Sequence, residues 1–328
     1  MRAVRLEAFG PAENFTIVDV PIPAPAADEI LIKVEAAGIV FADTQMRRGD
    51  YVNLPSLPFI PGREVSGIVE RVGAGVTQIT PGMRVTADMH TGGYAEYATA
   101  AARNVVSLPG RASFLQGIVY HINLRIAYLA YFTFGKIRPG ETLLVHAAAG
   151  GIGTLLTQLA KRRGKHTVIA LASSDEKLAH CRAAGADHCI NYRRTDYVEE
   201  VLRITGGAGV DVSINSVGGP TLQTDPLAIR PTGRWLIYGY AEGKGRIDPS
   251  IVMPRSLTVT IFSVYTVREQ EAYRQATAFL EEWLRAEDLM TVSRTFPLED
   301  VIAAHHWIEG QHSHGKIALV PRAGRPTG

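Results

Sequence analysis

Gly150, Gly151 and Gly153 stand in "HAAAGGIGTLLTQLAKRRG", between the apolar runs "ETLLV" and "HTVIALASS". In register the turn reads Ala148-x-Gly150-x-x-Gly153, the spacing of a dinucleotide fingerprint with alanine in place of its first glycine. A bare Gly150 lets backbone approach a pyrophosphate, and a bare Gly153 lets the helix lie close to the strand. The free N–H groups and partial positive charge of the helix start then face the phosphates. About 20 residues on, such a site carries Asp or Glu when it binds the ribose 2′-hydroxyl. Here that place reads Ala172, Ser173 and Ser174, followed by Asp175 and then Lys177. Small hydroxyls with a lysine one turn along accept a 2′-phosphate, and Arg193 and Arg194 are further cations for it. The expected cofactor is therefore NADPH. Asp175 is the counter-argument, unless it is the N-cap of the next helix.

The elements around this turn set its context. "TLLVHA", "HTVIAL", "HCIN", "VDVSIN", "RWLIYG" and "LTVTIF" read as six strands. Helices are expected over Gly151–Arg163, 175–184 and 197–205. Alternating strands and helices predict a doubly wound parallel sheet. Before it, "EILIKVEAAGI", "SGIVERVGAGV", "RVTADM" and "AEYATA" read as short strands broken by Pro and Gly, an antiparallel barrel-like pattern. After it, "REQEAYRQATAFLEEWLRAEDL" predicts an amphipathic helix. "TFPLEDVIAAHHWIEG" reads as loop then helix, "GKIALV" as a closing strand, and "PRAGRPTG" as a frayed tail.

With 328 residues, 46% of them hydrophobic, the chain can build full-sized cores in two domains. A net charge of +2 implies no basic face, so nucleic acid is not an expected partner. No apolar run reaches the ~18 residues that span a bilayer, and "MRAVRLEAFGP" reads as strand and turn rather than a leader. Two cysteines, Cys181 and Cys189, suit a reducing cytoplasm.

The motifs "AAGIVFADTQMRRGDY", "PFIPGREVSGIVERVGAGV", "GGYAEYA", "IRPGETLLVHAAAGGIGTLLTQLAKRRG", "AAGADHCINYR", "VDVSINSVGG" and "HGKIALV" cover nearly the whole chain. Together they resemble the medium-chain dehydrogenase/reductase superfamily, in its zinc-free quinone oxidoreductase (zeta-crystallin-like) branch. The resemblance implies an α/β chain. Residues 1–122 would form a GroES-like β-rich catalytic domain and residues 123–265 an NADPH-binding Rossmann domain. Residues 266–328 would return to the first, and the protein would be a homodimer. It places Ala149, Gly150, Gly151, Ile152 and Gly153 on the pyrophosphate. Ser173, Ser174, Lys177 and Tyr192 fall at the adenosine end, with Asn215 and Val217 after the fourth strand. Tyr238, Gly239 and Phe262 lie towards the nicotinamide, and Lys316 on the cofactor side.

Zinc enzymes of the same superfamily carry "CGxCxTD" and "GHE", where this chain has "AGIVFAD" and "GRE". Val40 and Arg63 stand in the register of the cysteine and histidine ligands, and neither can hold zinc. No metal is expected. His305, His306, His312 and His314 read as a helix end and a loop rather than a metal cluster.

Without a metal the chemistry is hydride transfer to a carbon that needs no Lewis acid, as in quinones and activated alkenes. Members of the branch commonly carry Asn, Tyr and Thr where this chain has Val40, Gln45 and Ile126. Two aliphatic replacements imply an apolar acceptor at Val40 and Ile126. Gln45 can still donate a hydrogen bond, and Tyr51 is the candidate proton donor, with water as the alternative. The main expectation is an NADPH-dependent quinone or enone reductase. An enoyl-thioester reductase acting on a natural-product intermediate and a non-catalytic NADPH-binding structural protein stand beside it.

Overall fold

Near-continuous burial along its inner strands is what a parallel sheet covered on both faces requires. In the computed structural model, which describes residues 1–285 and 290–321, Thr167–Ala172 is buried at every position but its first. Six strands form one all-parallel sheet in the spatial order His188–Asn191, Thr167–Ala172, Thr142–Val145, Val210–Asn215, Ile229–Ile237, Thr258–Ile261. In chain order this is 3-2-1-4-5-6, the Rossmann arrangement. The strand order reverses between Thr142–Val145 and Val210–Asn215, and the turns beyond their carboxyl ends form the crevice in which such sheets bind ligands. Leu144, Ile169, Val210, Ile229 and Trp235, all fully buried, lie in the core of this unit.

The chain divides into two units, Asn123–Ala278 and Met1–Ile122 with the residues from Phe279 onward. The division falls inside two helices, Phe114–Tyr128 and Glu271–Trp283. The other unit is built on a seven-stranded, mainly antiparallel sheet, as the sequence pattern implies. Its order is Arg294–Pro297, Ile317–Val320, Glu29–Ile39, Glu64–Val72, Arg84–Asp88, Val105–Ser107. Tyr97–Ala101 branches from the long strand Glu29–Ile39. The closing strand Ile317–Val320 lies antiparallel to that long strand, Leu319 opposite Ala37. Ile30, Ile32, Val34, Val65, Val85 and Leu319 fill its core.

Several elements differ from the sequence reading. Arg294–Pro297, read as loop, is a strand because Ile317–Val320 pairs with it; only Phe296 of its four residues is buried, too little for a visible alternation. Phe114–Tyr128 is a helix with Ile118, Val119, Tyr120 and Leu124 buried on several sides, so no apolar stripe marks it. Thr221–Ala228 is a helix despite Pro226 in its interior. Phe41–Arg48 is a further helix not read from the pattern. Of the expected frayed tail, 322–328 lie outside the described residues, as do 286–289 at the end of the amphipathic stretch. No helix among the described residues is long and apolar enough to cross a membrane.

Candidate functional site

The turn after Thr142–Val145 carries the first set of expected residues. Ala147, one residue before the alanine that replaces the fingerprint's first glycine, takes a left-handed φ of +47°, at a steric cost of about 1–2 kcal/mol. Ala148 N–H donates to Leu171 O at 3.1 Å, tying the turn to the neighbouring strand. Gly150 is the N-cap of the helix Gly151–Arg163, with extended backbone and no side-chain cap bond. The first-turn N–H groups of Gly151, Ile152 and Gly153 have no carbonyl four residues back within the helix. They form the electropositive end expected to meet a phosphate. At Gly153 a Cβ would lie 2.6 Å from both Ala147 O and Ala148 Cα, so only glycine fits the close approach of helix and turn.

Beyond Thr167–Ala172, Ser173 is buried and Ser174 caps the helix Asp175–Ala183, its hydroxyl accepting from Lys177 N–H at 3.3 Å. The N-cap is therefore Ser174 and not Asp175. Asp175 starts the helix, and its carboxylate accepts from Arg194 Nη1 at 2.9 Å. Burial, and then the nearby Arg193, hold the Lys177 ammonium below its ordinary value, against the pull of Glu176. Two cations thus repel one another at the end of the second strand, a place where an added anion would be favourable. Tyr192, after His188–Asn191, is exposed, and its N–H donates to Ala172 O at 3.3 Å.

At the end of Val210–Asn215, Asn215 Oδ1 accepts from Val217 N–H at 2.8 Å and Gly218 N–H at 3.1 Å, which shapes the following turn. Tyr238 N–H donates to Asn215 O at 3.0 Å, and a Cβ on Gly239 would lie 2.7 Å from Ser216 O. These turns and the glycine turn all stand at carboxyl ends of the parallel strands. Phe262 follows the last strand, buried, stacked on Phe134 with centroids 4.4 Å apart and tilted against Tyr238 at 5.9 Å. Phe134 was not singled out from the sequence; it ends a π-helical turn, Leu129–Phe134, a form that recurs at functional sites. Ile126 is half-buried on the preceding helix.

In the GroES-like unit, Val40 precedes the helix Phe41–Arg48, and its N–H donates to Asp43 Oδ2 at 3.0 Å. Tyr94 Oη donates to the same oxygen at 2.8 Å. Gln45 is buried in that helix, and its carbonyl accepts from Asp50 N–H at 2.9 Å, closing the turn that leads to Tyr51. Arg63 Nη1 donates to Tyr51 Oη at 2.9 Å, with the guanidinium carbon 4.8 Å from the ring centroid. Lys316 Nζ pairs with Glu64 Oε1, both groups buried. Burial lowers the Lys316 ammonium to about 7, with Asp43 opposing and Arg63 adding to the shift. Burial likewise raises the Asp43 carboxyl, against the attraction of Arg63. The sequence pointed to Lys316 and Arg63 but not to Asp43, Glu64 or Tyr94, whose partners lie up to 252 residues away.

Among the described residues no three His, Cys, Asp or Glu side chains gather as a metal would need. His305 is buried edge-on to Phe15 and Tyr94, while His306 Nε2 pairs with Glu13 at 2.8 Å.

Residues 26–110 match the "Alcohol dehydrogenase GroES-like domain" family model, and residues 151–282 match "Zinc-binding dehydrogenase". The chain is 32% identical over 328 residues to a quinone oxidoreductase of Pongo abelii, covering 98% of each chain. It is 32% identical to a 2-haloacrylate reductase of Burkholderia sp, covering 98% of this chain and 99% of that one. Among solved structures it resembles Escherichia coli quinone oxidoreductase complexed with NADPH, with a TM-score of 0.89 and 31% identity over 98% of this chain and all of the other. A GroES-like unit, a 3-2-1-4-5-6 Rossmann sheet and full-length identity above 30% agree: the chain belongs to the medium-chain dehydrogenase/reductase family, in its quinone oxidoreductase branch.

Proposed function

We propose that this chain is an NADPH-dependent, zinc-independent reductase of quinones or α,β-unsaturated carbonyl compounds. One observation carries the reading: an uncapped helix start beside a second strand that ends in serines and paired cations. The residues present fit NADPH. Ala149, Gly150, Gly151, Ile152 and Gly153 would line the pyrophosphate, which the first-turn N–H groups of Gly151, Ile152 and Gly153 would hold, while the Gly150 N–H stays on Ala147 O at 2.9 Å. Ser173, Ser174, Lys177 and Tyr192 would hold the adenosine end, where a carboxylate would repel the 2′-phosphate. Asn215, Val217, Tyr238, Gly239 and Phe262 would flank the remainder from the other strand ends, and Lys316 would be a cofactor-side contact whose charge Glu64 balances. The cofactor-binding function is thus assigned to residues 123–265, and Lys316 to the returning segment 266–328. When bound, NADPH supplies the hydride.

The chain's own part in the chemistry is to position and to protonate. Arg63 occupies one lone pair of the Tyr51 hydroxyl, so the phenolic O–H is left to donate to the reduced acceptor. Gln45 would assist as a second donor. Val40 and Ile126, both aliphatic, favour an apolar acceptor. Val40 and Arg63 also leave no zinc ligands at those two positions. The NADPH-bound E. coli structure and the 2-haloacrylate reductase, whose name denotes an activated alkene, support both halves of the reading.

NADPH oxidation at 340 nm tests it, with EDTA-treated protein and a panel of quinones, enones and enoyl thioesters. Turnover with quinones or enones, undiminished by the chelator, is expected. Tyr51→Phe should lower kcat roughly 100-fold, within the range for general acids, and leave NADPH affinity unchanged. Turnover with thioesters alone would replace the acceptor class. No turnover with any acceptor, or its loss with EDTA, would contradict the proposal.

A further inference from the structure

Asp225 is fully buried, lies on the helix Thr221–Ala228, and belongs to none of the cofactor-facing turns. Every bond to its carboxylate comes from a different place along the chain. His146 Nε2–H donates to Oδ1 at 2.8 Å, and Oδ2 accepts from Ser213 Oγ at 2.8 Å and Asn215 Nδ2 at 3.1 Å. Burial alone would raise its pKa, but His146 and the bonds from Asn215 and Ser213 hold it below the ordinary carboxylate value. Asp225 is therefore an ionised acceptor.

Two of its partners are the last residues before the two turns that flank the point where the strand order reverses. His146 follows Thr142–Val145 and leads into the glycine turn, and its own N–H donates to Ile214 O at 3.0 Å. Asn215 ends Val210–Asn215. Its amide must choose an orientation. With Nδ2 donating to Asp225 and, at 2.9 Å, to Thr221 Oγ1, its Oδ1 is turned towards the N–H groups of Val217 and Gly218. A reversed amide would set donor against donor at both turn residues.

We infer that Asp225 is a positioning residue for the cofactor, acting through Asn215 and His146 to hold the 216–218 turn and the glycine turn in their binding geometry. The inference rests on the NADPH reading for its consequence but not for its structural content, so two readouts separate them. The first is amide exchange at Val217 and Gly218 in the cofactor-free chain; the second is NADPH titration by fluorescence.

Asn215→Asp sets two carboxylates face to face. It should speed exchange at both amides and raise the NADPH Kd by roughly tenfold or more, as expected when a charge-assisted bond is lost. Adding Asp225→Asn restores a donor facing an acceptor, so the double variant should recover both readouts to within about threefold. Ser213→Ala removes another bond to the same oxygen without touching either turn, and should leave both readouts unchanged. If Asn215→Asp does not fold, Asp225→Ala replaces it. That variant removes the carboxylate that accepts from Asn215 Nδ2 and leaves the bond from Thr221 Oγ1 to Gly218 O in place, and it should loosen the same two amides. A double variant as impaired as Asn215→Asp, a Ser213→Ala variant equally impaired, or an Asp225→Ala variant with unchanged exchange overturns the inference. Recovered amide protection in a chain that never binds NADPH would uphold the clamp and sink the cofactor reading.

Discussion

Gly153→Ala is expected to destabilise the chain by about 1–3 kcal/mol and to weaken NADPH binding roughly tenfold or more, as overpacking against fixed atoms does. The added Cβ would meet Ala147 O at 2.6 Å, Ala148 Cα at 2.6 Å and Ala148 C at 2.9 Å. All three are backbone atoms, so no rotamer relieves the contact; the helix start or the turn must move. Either movement displaces the N–H groups of Gly151 and Ile152 from the turn they share with Gly150. Gly150→Ala is the informative contrast. Its Cβ would meet only Ala147 O, at 3.2 Å, with an ordinary φ of −75°. That variant should melt near the unaltered chain yet bind NADPH more weakly, because its methyl group stands where the pyrophosphate approaches. Thermal denaturation and NADPH titration of the two variants check this. A Gly153→Ala protein with unchanged melting and binding would show that the close approach of helix and turn is dispensable.

The second large effect is on stability in acid and comes from His305. Its ring is fully buried between Phe15 and Tyr94, and neither ring nitrogen has a hydrogen-bond partner among the described residues. Burial first, then the charges of Arg47, His306 and Arg48, lower its pKa from 6.5 to about 3. Between these values the unfolded chain binds a proton that the folded chain refuses. The contribution is therefore fully present above about pH 6.5 and is lost as pH falls towards 3, by at most about 5 kcal/mol. His305→Leu removes the titration and fills the site with a side chain that needs no hydrogen bond. The variant should melt at or above the unaltered chain at pH 7, and its advantage should widen steadily down to pH 4. Melting temperatures over that range check the sign; parallel curves for the two proteins would show that His305 is solvated when charged.

The helix Gly151–Arg163 was legible to the residue, because a glycine turn, an apolar stripe and a basic last turn all mark it locally. The parallel sheet was legible for the same reason: its inner strands, such as Thr142–Val145 and Thr167–Ala172, are apolar runs bounded by turn residues. What escaped was non-local or ambiguous by one position. Ser174 and Asp175 are both good caps, and only the extended backbone at Ser174, φ −151° and ψ 160°, decides between them. Asp225 looks like an ordinary surface residue beside a proline. Its partners lie 79, 12 and 10 residues away, and the parallel sheet brings them together. Lys316 stood out in the sequence, but its partner Glu64 is 252 residues earlier. Phe114–Tyr128 hid for the opposite reason, since a helix buried on several sides shows no periodic contrast.

Direct titration of the purified chain with NADPH and with NADH, in parallel and at two salt concentrations, tests the central claim most simply. A backbone cradle that grips the pyrophosphate of either nucleotide should bind both. The serines, Lys177 and Arg193 should make NADPH tighter by roughly tenfold or more, a gap that narrows as salt screens the 2′-phosphate. NADH bound as tightly as NADPH, or neither nucleotide bound at all, would contradict the account.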